Sequence, residues 1–246
     1  MITRERRERA RAVGLAMAAL VAACGGSEPK PKGPEPEAQA APTPEAPKPN
    51  MTVSAELGEI DQAEADRTFQ RLQPRLMGCY MEGQKRIEYL SGEVHFFVRV
   101  GQDGTARWAY LEESTLGDRD SERCMLDLVT AAHWPRPSGG DAEVRNPIVF
   151  EPPGNVRRPV AWSSDRIAAA LGSHGDDAAK CKKGMSGNFK VTAYVEPAGK
   201  HGKVQAAGVA FSNKDANARA ECIVDAVLHM KMPSPGSYTA KVSFIL

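Results

Sequence analysis

The chain is 246 residues long and carries 32 Lys and Arg against 31 Asp and Glu, a formal net charge of +1. The two signs are interspersed, so there is no basic stripe of the kind that grips a phosphate backbone, and nucleic acid is excluded as a partner. Beyond the first fifty residues the length suits one large domain or two small ones.

Arg4 to Arg11 is basic, Val13 to Ala23 is apolar, and Cys24 follows. The apolar run is well short of the ~20 residues a membrane-spanning helix needs, and it matches a secretory leader. Leu20-Val21-Ala22-Ala23-Cys24 resembles a bacterial lipobox. That resemblance implies that residues 1–23 are a signal peptide, that cleavage precedes Cys24, and that Cys24 is lipidated and exported. Residues 24–50 hold prolines from Pro29 to Pro49 among Glu, Lys and Ala. Proline fixes φ and removes donors, so this segment reads as an extended tether. No later apolar run approaches spanning length, so the lipid is the expected membrane attachment. Gly25 stands where an inner-membrane lipoprotein would carry aspartate, which favours the periplasmic face of the outer membrane by analogy.

A first globular region is expected over residues 51–153. Asp61 and Glu64 form a capping box for a helix with Ala65, Phe69, Leu72, Leu76 and Cys79 or Tyr80 on one face. Pro74 is expected to kink or restart it. Gly92 to Val100 alternates as a strand, with Val94, Phe96, Val98 and Val100 on one side. Gln102-Asp103-Gly104 turns the chain, and a return strand runs from Thr105 to Ser114. Its apolar positions Ala106, Ala109 and Leu111 break alternation, which predicts a β-bulge. A second helix over 121–132 is expected to bury Cys124, Leu128 and Ala131 or Ala132, and Val144 to Phe150 form a last strand.

Residues 160–246 repeat this order with a weaker first helix, capped by Ser163 or Ser164 and interrupted by Gly172 and Gly175. Strands are expected near 188–196 and 203–211, and a helix over 216–230 with Cys222, Ile223, Ala226 and Val227 inward. A final strand runs from Tyr238 to Leu246. At an offset of 98, Gly104, Ala106, Ala109, Leu111, Ser114, Cys124, Asp127, Val129, Pro135 and Pro137 recur as Gly202, Val204, Ala207, Val209, Ser212, Cys222, Asp225, Val227, Pro233 and Pro235. Such a repeat reads as a duplicated unit. Each copy is α-β-β-α-β, so the predicted fold is α+β: two tandem two-layer sandwiches, each a three-stranded antiparallel sheet covered by two helices.

Four cysteines of an exported chain, Cys79, Cys124, Cys181 and Cys222, allow three disulfide connectivities. The duplication selects pairing within each copy, Cys79 with Cys124 and Cys181 with Cys222.

Cys79-Tyr80, Gly92-Glu93-Val94, Gly104, Ser114-Thr115-Leu116-Gly117-Asp118, Cys124, Trp134-Pro135-Arg136-Pro137 and Asn146-Pro147-Ile148-Val149-Phe150 together resemble the C-terminal domain of the AgmX/PglI family. This is a branch of the TonB C-terminal domain fold found in gliding-motility proteins of myxobacteria. The second copy keeps Cys181, Gly187, Gly202, Cys222, Met232-Pro233-Ser234-Pro235 and Phe244, and lacks the Ser-Thr-Leu-Gly-Asp run and the proline of the last strand. The resemblance implies a periplasmic protein-interaction module that recruits partner peptides by adding a strand to its sheet. A lipobox in place of a transmembrane helix separates the chain from an energy transducer.

The expected function is therefore that of a non-enzymatic envelope lipoprotein serving a trans-envelope machine for motility, secretion or TonB-like transport. Its partners would be envelope proteins captured at an exposed sheet edge. The edge expected to do this is Tyr238, Lys241, Val242, Ser243, Phe244, Ile245 and Leu246, with no later segment to cover it. An envelope hydrolase is the weaker alternative: Ser114, Ser212, His133, His229, Asp127 and Asp225 are its candidates, and no hydrolase or zinc motif joins them. A peptidoglycan or glycan binder is the other, through Trp108, Trp134 or Trp162. No metal, cofactor or small-molecule substrate is expected.

Overall fold

The computed structural model describes residues 57–246 except positions 183, 186 and 216. The leader, Cys24 and the tether lie outside the described residues. Asp61 caps α1 (Gln62–Gln84), its carboxylate accepting from the Glu64 N–H at 3.1 Å. The helix runs through Pro74 as a single element. Pro74 and Gln70 are both exposed, so the Gln70 carbonyl that loses its helical donor can bond to water instead. Ala65, Phe69, Leu72, Leu76 and Tyr80 form the buried stripe expected of this helix.

β1 (Gly92–Val100) and β2 (Ala106–Ser114) form a hairpin, and β3 (Ala142–Phe150) pairs on the other side of β1, giving the order β2-β1-β3. Gly104 takes a φ of +78° in the turn, a conformation glycine adopts without strain. The expected bulge falls at Arg107, which is unmatched between the pairs Arg99–Trp108 and Val100–Ala106. A second irregularity lies at Glu112, between His95–Glu113 and Phe96–Leu111.

α2 (Arg119–Thr130) turns its inner face differently from the expectation. Ser121, Glu122, Met125, Leu126 and Val129 are buried, whereas Cys124 is exposed and Leu128 lies at the rim. The disulfide bridges one flank of the helix to α1, and so does not mark the centre of the apolar face.

The second half opens with β4 (Val160–Trp162) and a 3₁₀ turn over Ser164–Ile167, then α3 (Ala168–Cys181). β5 (Lys190–Ala198) and β6 (His201–Ala210) form its hairpin, followed by α4 (Asn217–Leu228), β7 (Met232–Pro233) and β8 (Ala240–Ile245). Here the bulge falls on Gln205, between Tyr194–Ala206 and Val195–Val204, which is the equivalent of Arg107 at the same offset. The inner face of α4 is Ala220, Ile223, Val224 and Val227, with Cys222 exposed and Ala226 at the rim. The sheet order is β4-β8-β5-β6-β7, so the core order β6-β5-β8 repeats β2-β1-β3 and two short strands are added at the flanks. The architecture is α+β, with the helices of each half over the apolar face of its sheet.

The halves pack together, and the described residues fall in one compact unit. The outer face of the second sheet supplies Tyr194, Ala206 and Ala210 to the core of the first half. Along the seam the Phe211 N–H donates to the Leu111 carbonyl at 3.0 Å, and the Asn217 amide donates to the Ala109 carbonyl at 3.0 Å. Arg119 of α2 meets Glu221 of α4 at 3.0 Å.

A half-open sheet edge as the candidate functional site

The structure joins Cys79 to Cys124 and Cys181 to Cys222, the pairing that the duplication selects. Each bridge ties the first helix of its half to the second.

The expected binding edge is narrower than the run Tyr238 to Leu246. β4 pairs in parallel with the first half of β8, matching Val160, Ala161 and Trp162 to Ala240, Lys241 and Val242. The cover is β4, from upstream in the chain, and it corrects the expectation that the whole run is open. Tyr238 precedes the strand and is anchored: its hydroxyl donates to the Arg157 carbonyl at 2.6 Å, and the Arg157 guanidinium lies 4.1 Å above its ring. Lys241 turns into the seam and donates to the Ser91 carbonyl at 2.6 Å. Val242 and Phe244 are buried in the core of the second half.

Backbone direction then singles out two residues. Leu246 and Phe189 exchange both hydrogen bonds, at 3.0 and 3.2 Å. Antiparallel ladders alternate every residue, so Phe244 and Val242 also face β5, while Ser243 and Ile245 present N–H and C=O to the opposite side. That is the side β4 occupies, since the Val160 N–H donates to the Thr239 carbonyl at 2.9 Å. β4 stops opposite Val242, where the parallel register sets the Trp162 carbonyl against the Ser243 N–H; among the described residues no strand pairs the Ser243 carbonyl or the outward N–H and C=O of Ile245. A cleft of about 580 Å³ opens beside them, lined by Ala168 and Leu171 of α3, Phe244 and Ile245 of β8, and the ion-paired Glu113 and Lys190.

The first sheet treats its equivalent edge differently. The Thr115 N–H donates to the Glu93 carbonyl at 2.8 Å, so odd-numbered residues of β1 face β2 and even-numbered ones face β3. The β3 partners of the even residues are Ala142, Val144, Asn146, Ile148 and Phe150, which leaves the backbone groups of Glu143, Arg145, Pro147 and Val149 pointing out of the sheet. Pro147 thus sits where its missing N–H costs the ladder nothing and denies a donor to any added strand.

The alternative candidates are spread apart or closed. Ser114 is buried, with its hydroxyl donating to Glu122 at 2.6 Å, while Ser212, His133, Asp127 and Asp225 are exposed or partly exposed. His229 lies beside Asp225 at 3.6 Å on the open surface of α4. Trp134 and Trp162 are buried, and Trp108 is half-buried between Arg99 and Lys214. A second cleft, of about 310 Å³ at the seam, is lined by Arg86, Asp118, Arg119 and Glu221, whose charges already pair with one another. Among the described residues no group of three His, Cys, Asp or Glu could hold a metal ion, and no helix is long and apolar enough to cross a membrane.

Two features of the seam escaped sequence reasoning: the buried Glu122 and the polar chain leading from it. Ser114 donates to Glu122, the Thr192 hydroxyl donates to the Ser114 carbonyl at 3.3 Å, and Thr192 and Ser243 hydroxyls lie 2.8 Å apart. The only sequence signal was a glutamate among the apolar positions of an amphipathic helix. Comparison with known protein families, with curated proteins and with solved structures finds no match for this chain.

Proposed function

We propose that the chain is a non-enzymatic cell-envelope lipoprotein, held by Cys24 at the periplasmic face of the outer membrane. In this reading it captures an extended segment of an envelope protein by adding it to the free half of β8. The resemblance of the first half to the AgmX/PglI branch of the TonB C-terminal fold supports a recruiting role within a trans-envelope machine. The tether of residues 24–50 would carry the two halves away from the membrane surface.

One observation carries the reading. Ile245 offers an outward N–H beside an apolar cleft, at the position where the other copy has Pro147. An unpaired strand edge is a template for a further strand, and neighbouring pockets give such an interaction its specificity.

The test is Ile245→Pro, which removes that donor without touching the bonds to β5 and reproduces what the first copy already tolerates. The variant is expected to fold, keep both disulfides and lose its in-envelope crosslinks to the native partner. Crosslinks equal in number and identity to those of the unaltered chain would end the proposal.

A further inference from the structure

Glu122 lies at the seam with none of its surface exposed. Its side chain reaches from α2 of the first half to β6 of the second. One carboxylate oxygen accepts from the Val209 N–H at 3.0 Å, and the other from the Ser114 hydroxyl at 2.6 Å. The space for it depends on Gly208, where a Cβ would fall 2.1 Å from the Glu122 oxygen. At the 98-residue offset Tyr110 stands in place of Gly208 and Ala220 in place of Glu122. The carboxyl and its room therefore occur together at one side of the seam, and neither has a counterpart in the other copy.

We propose that Glu122 is a proton-operated latch between the two halves: protonated it closes the seam, and ionised it strains it. A neutral carboxyl satisfies both neighbours, accepting from Val209 through its carbonyl and donating its own hydrogen to Ser114. An ionised one keeps two donors but leaves a charge out of water with no cation bonded to it.

The surrounding charges do not supply that cation. On its own helix Arg119 favours ionisation, yet its guanidinium is paired with Glu221 of α4, and Asp118 opposes it. Asp118 is itself held by Arg86, just past the end of α1. β2 offers only the Ser114 hydroxyl, and β6 only the backbone of Gly208 and Val209. Lys190 of β5 is bound to Glu113.

Burial raises the carboxyl from its ordinary 4.5 to about 7, against the lowering effect of its two hydrogen bonds. The folded chain thus keeps a proton that the unfolded chain has released. The stability this proton contributes is complete below about 4.5 and is lost as pH rises to about 7.

The test uses the intact, oxidised chain. Carbon-13 NMR should place the Glu122 titration more than a unit above the ordinary carboxylate value. Exchange of the Val209 amide, corrected for base catalysis, should quicken by ~10-fold or more between mildly acidic and mildly basic pH. Glu122→Gln, which fixes the neutral hydrogen-bonding pattern, should show no such change. A titration at the ordinary value, or the same acceleration in Glu122→Gln, would overturn the latch. If the Gln variant fails to fold, the titration of the unaltered chain decides alone.

Discussion

Pro147 and Ile245 fill the same place in equivalent strands, each where the backbone N–H points out of its sheet. A tandem duplication creates two copies of every edge, and an edge left open invites pairing with other chains. In this molecule β2 and β6 are consumed by the seam and β3 is blunted by Pro147. Among the described residues, the end of β8 keeps the outward N–H of Ile245 beside a cleft. Pro147→Ile should therefore expose a second template on β3. The expected result is concentration-dependent self-association in sedimentation, with unchanged disulfides. A strictly monomeric variant would show that proline is not what guards this edge.

The legible part of the fold was the part set by local pattern. The capping box at Asp61, the alternation of β1, the turn at Gly104 and the two bulges all depend on neighbours within a few residues. The cysteine pairing came from the repeat. What escaped was long-range. β4 reaches β8 across most of the second half, and no local signal marks Val160–Trp162 as its partner. The helix faces were misjudged because the cysteines of α2 and α4 were counted as core, whereas Cys124 and Cys222 are exposed and only the Cys79 and Cys181 ends of the bridges lie in the cores. Nothing local marks Glu122 as buried, since the room for it depends on Gly208 from the other copy.

The two disulfides should matter unequally. On the chain-entropy account, closing loops with separations of 45 and 41 residues contributes about 4 kcal/mol each. α1 is also held by Phe69, Leu72, Leu76 and Tyr80, all buried. α3 buries Ala170, Ala178 and Cys181, and carries Gly172 and Gly175, each costing about 1 kcal/mol relative to alanine. Reduction should release α3 first. Hydrogen exchange read by mass spectrometry should show α3 losing protection while α1 keeps most of its own, and equal loss in both helices would contradict this.

Gly208 and Glu122 should be energetically coupled. Gly208→Ala places a methyl where the Glu122 carboxylate sits, and overpacking of this kind costs about 2 kcal/mol. Glu122→Ala leaves the Val209 N–H without its acceptor and opens a space, costing about 2–3 kcal/mol. Together the two changes refill the gap, so their combined cost should fall short of the sum by about 1 kcal/mol or more. Denaturant unfolding of the four chains measures this directly, and simple additivity would show that the two residues do not share one space.

Lys241 offers a second pH-dependent site with the opposite sign. Its ammonium donates to the Ser91 carbonyl and lies 5.2 Å from the centre of the Tyr194 ring. Burial lowers it from 10.5 to about 8. Between those values the folded chain binds fewer protons than the unfolded one, so stability should rise with pH through that window. Lys241→Met keeps the aliphatic packing and removes the buried charge. The Ser91 carbonyl is not orphaned, because the Tyr194 hydroxyl still donates to it at 3.1 Å. The variant should gain about 1 kcal/mol at neutral pH and lose the alkaline rise. Thermal unfolding from neutral to alkaline pH checks both. A variant less stable at neutral pH would mean that the ammonium's bond to Ser91 and its contact with Tyr194 outweigh the cost of burying it.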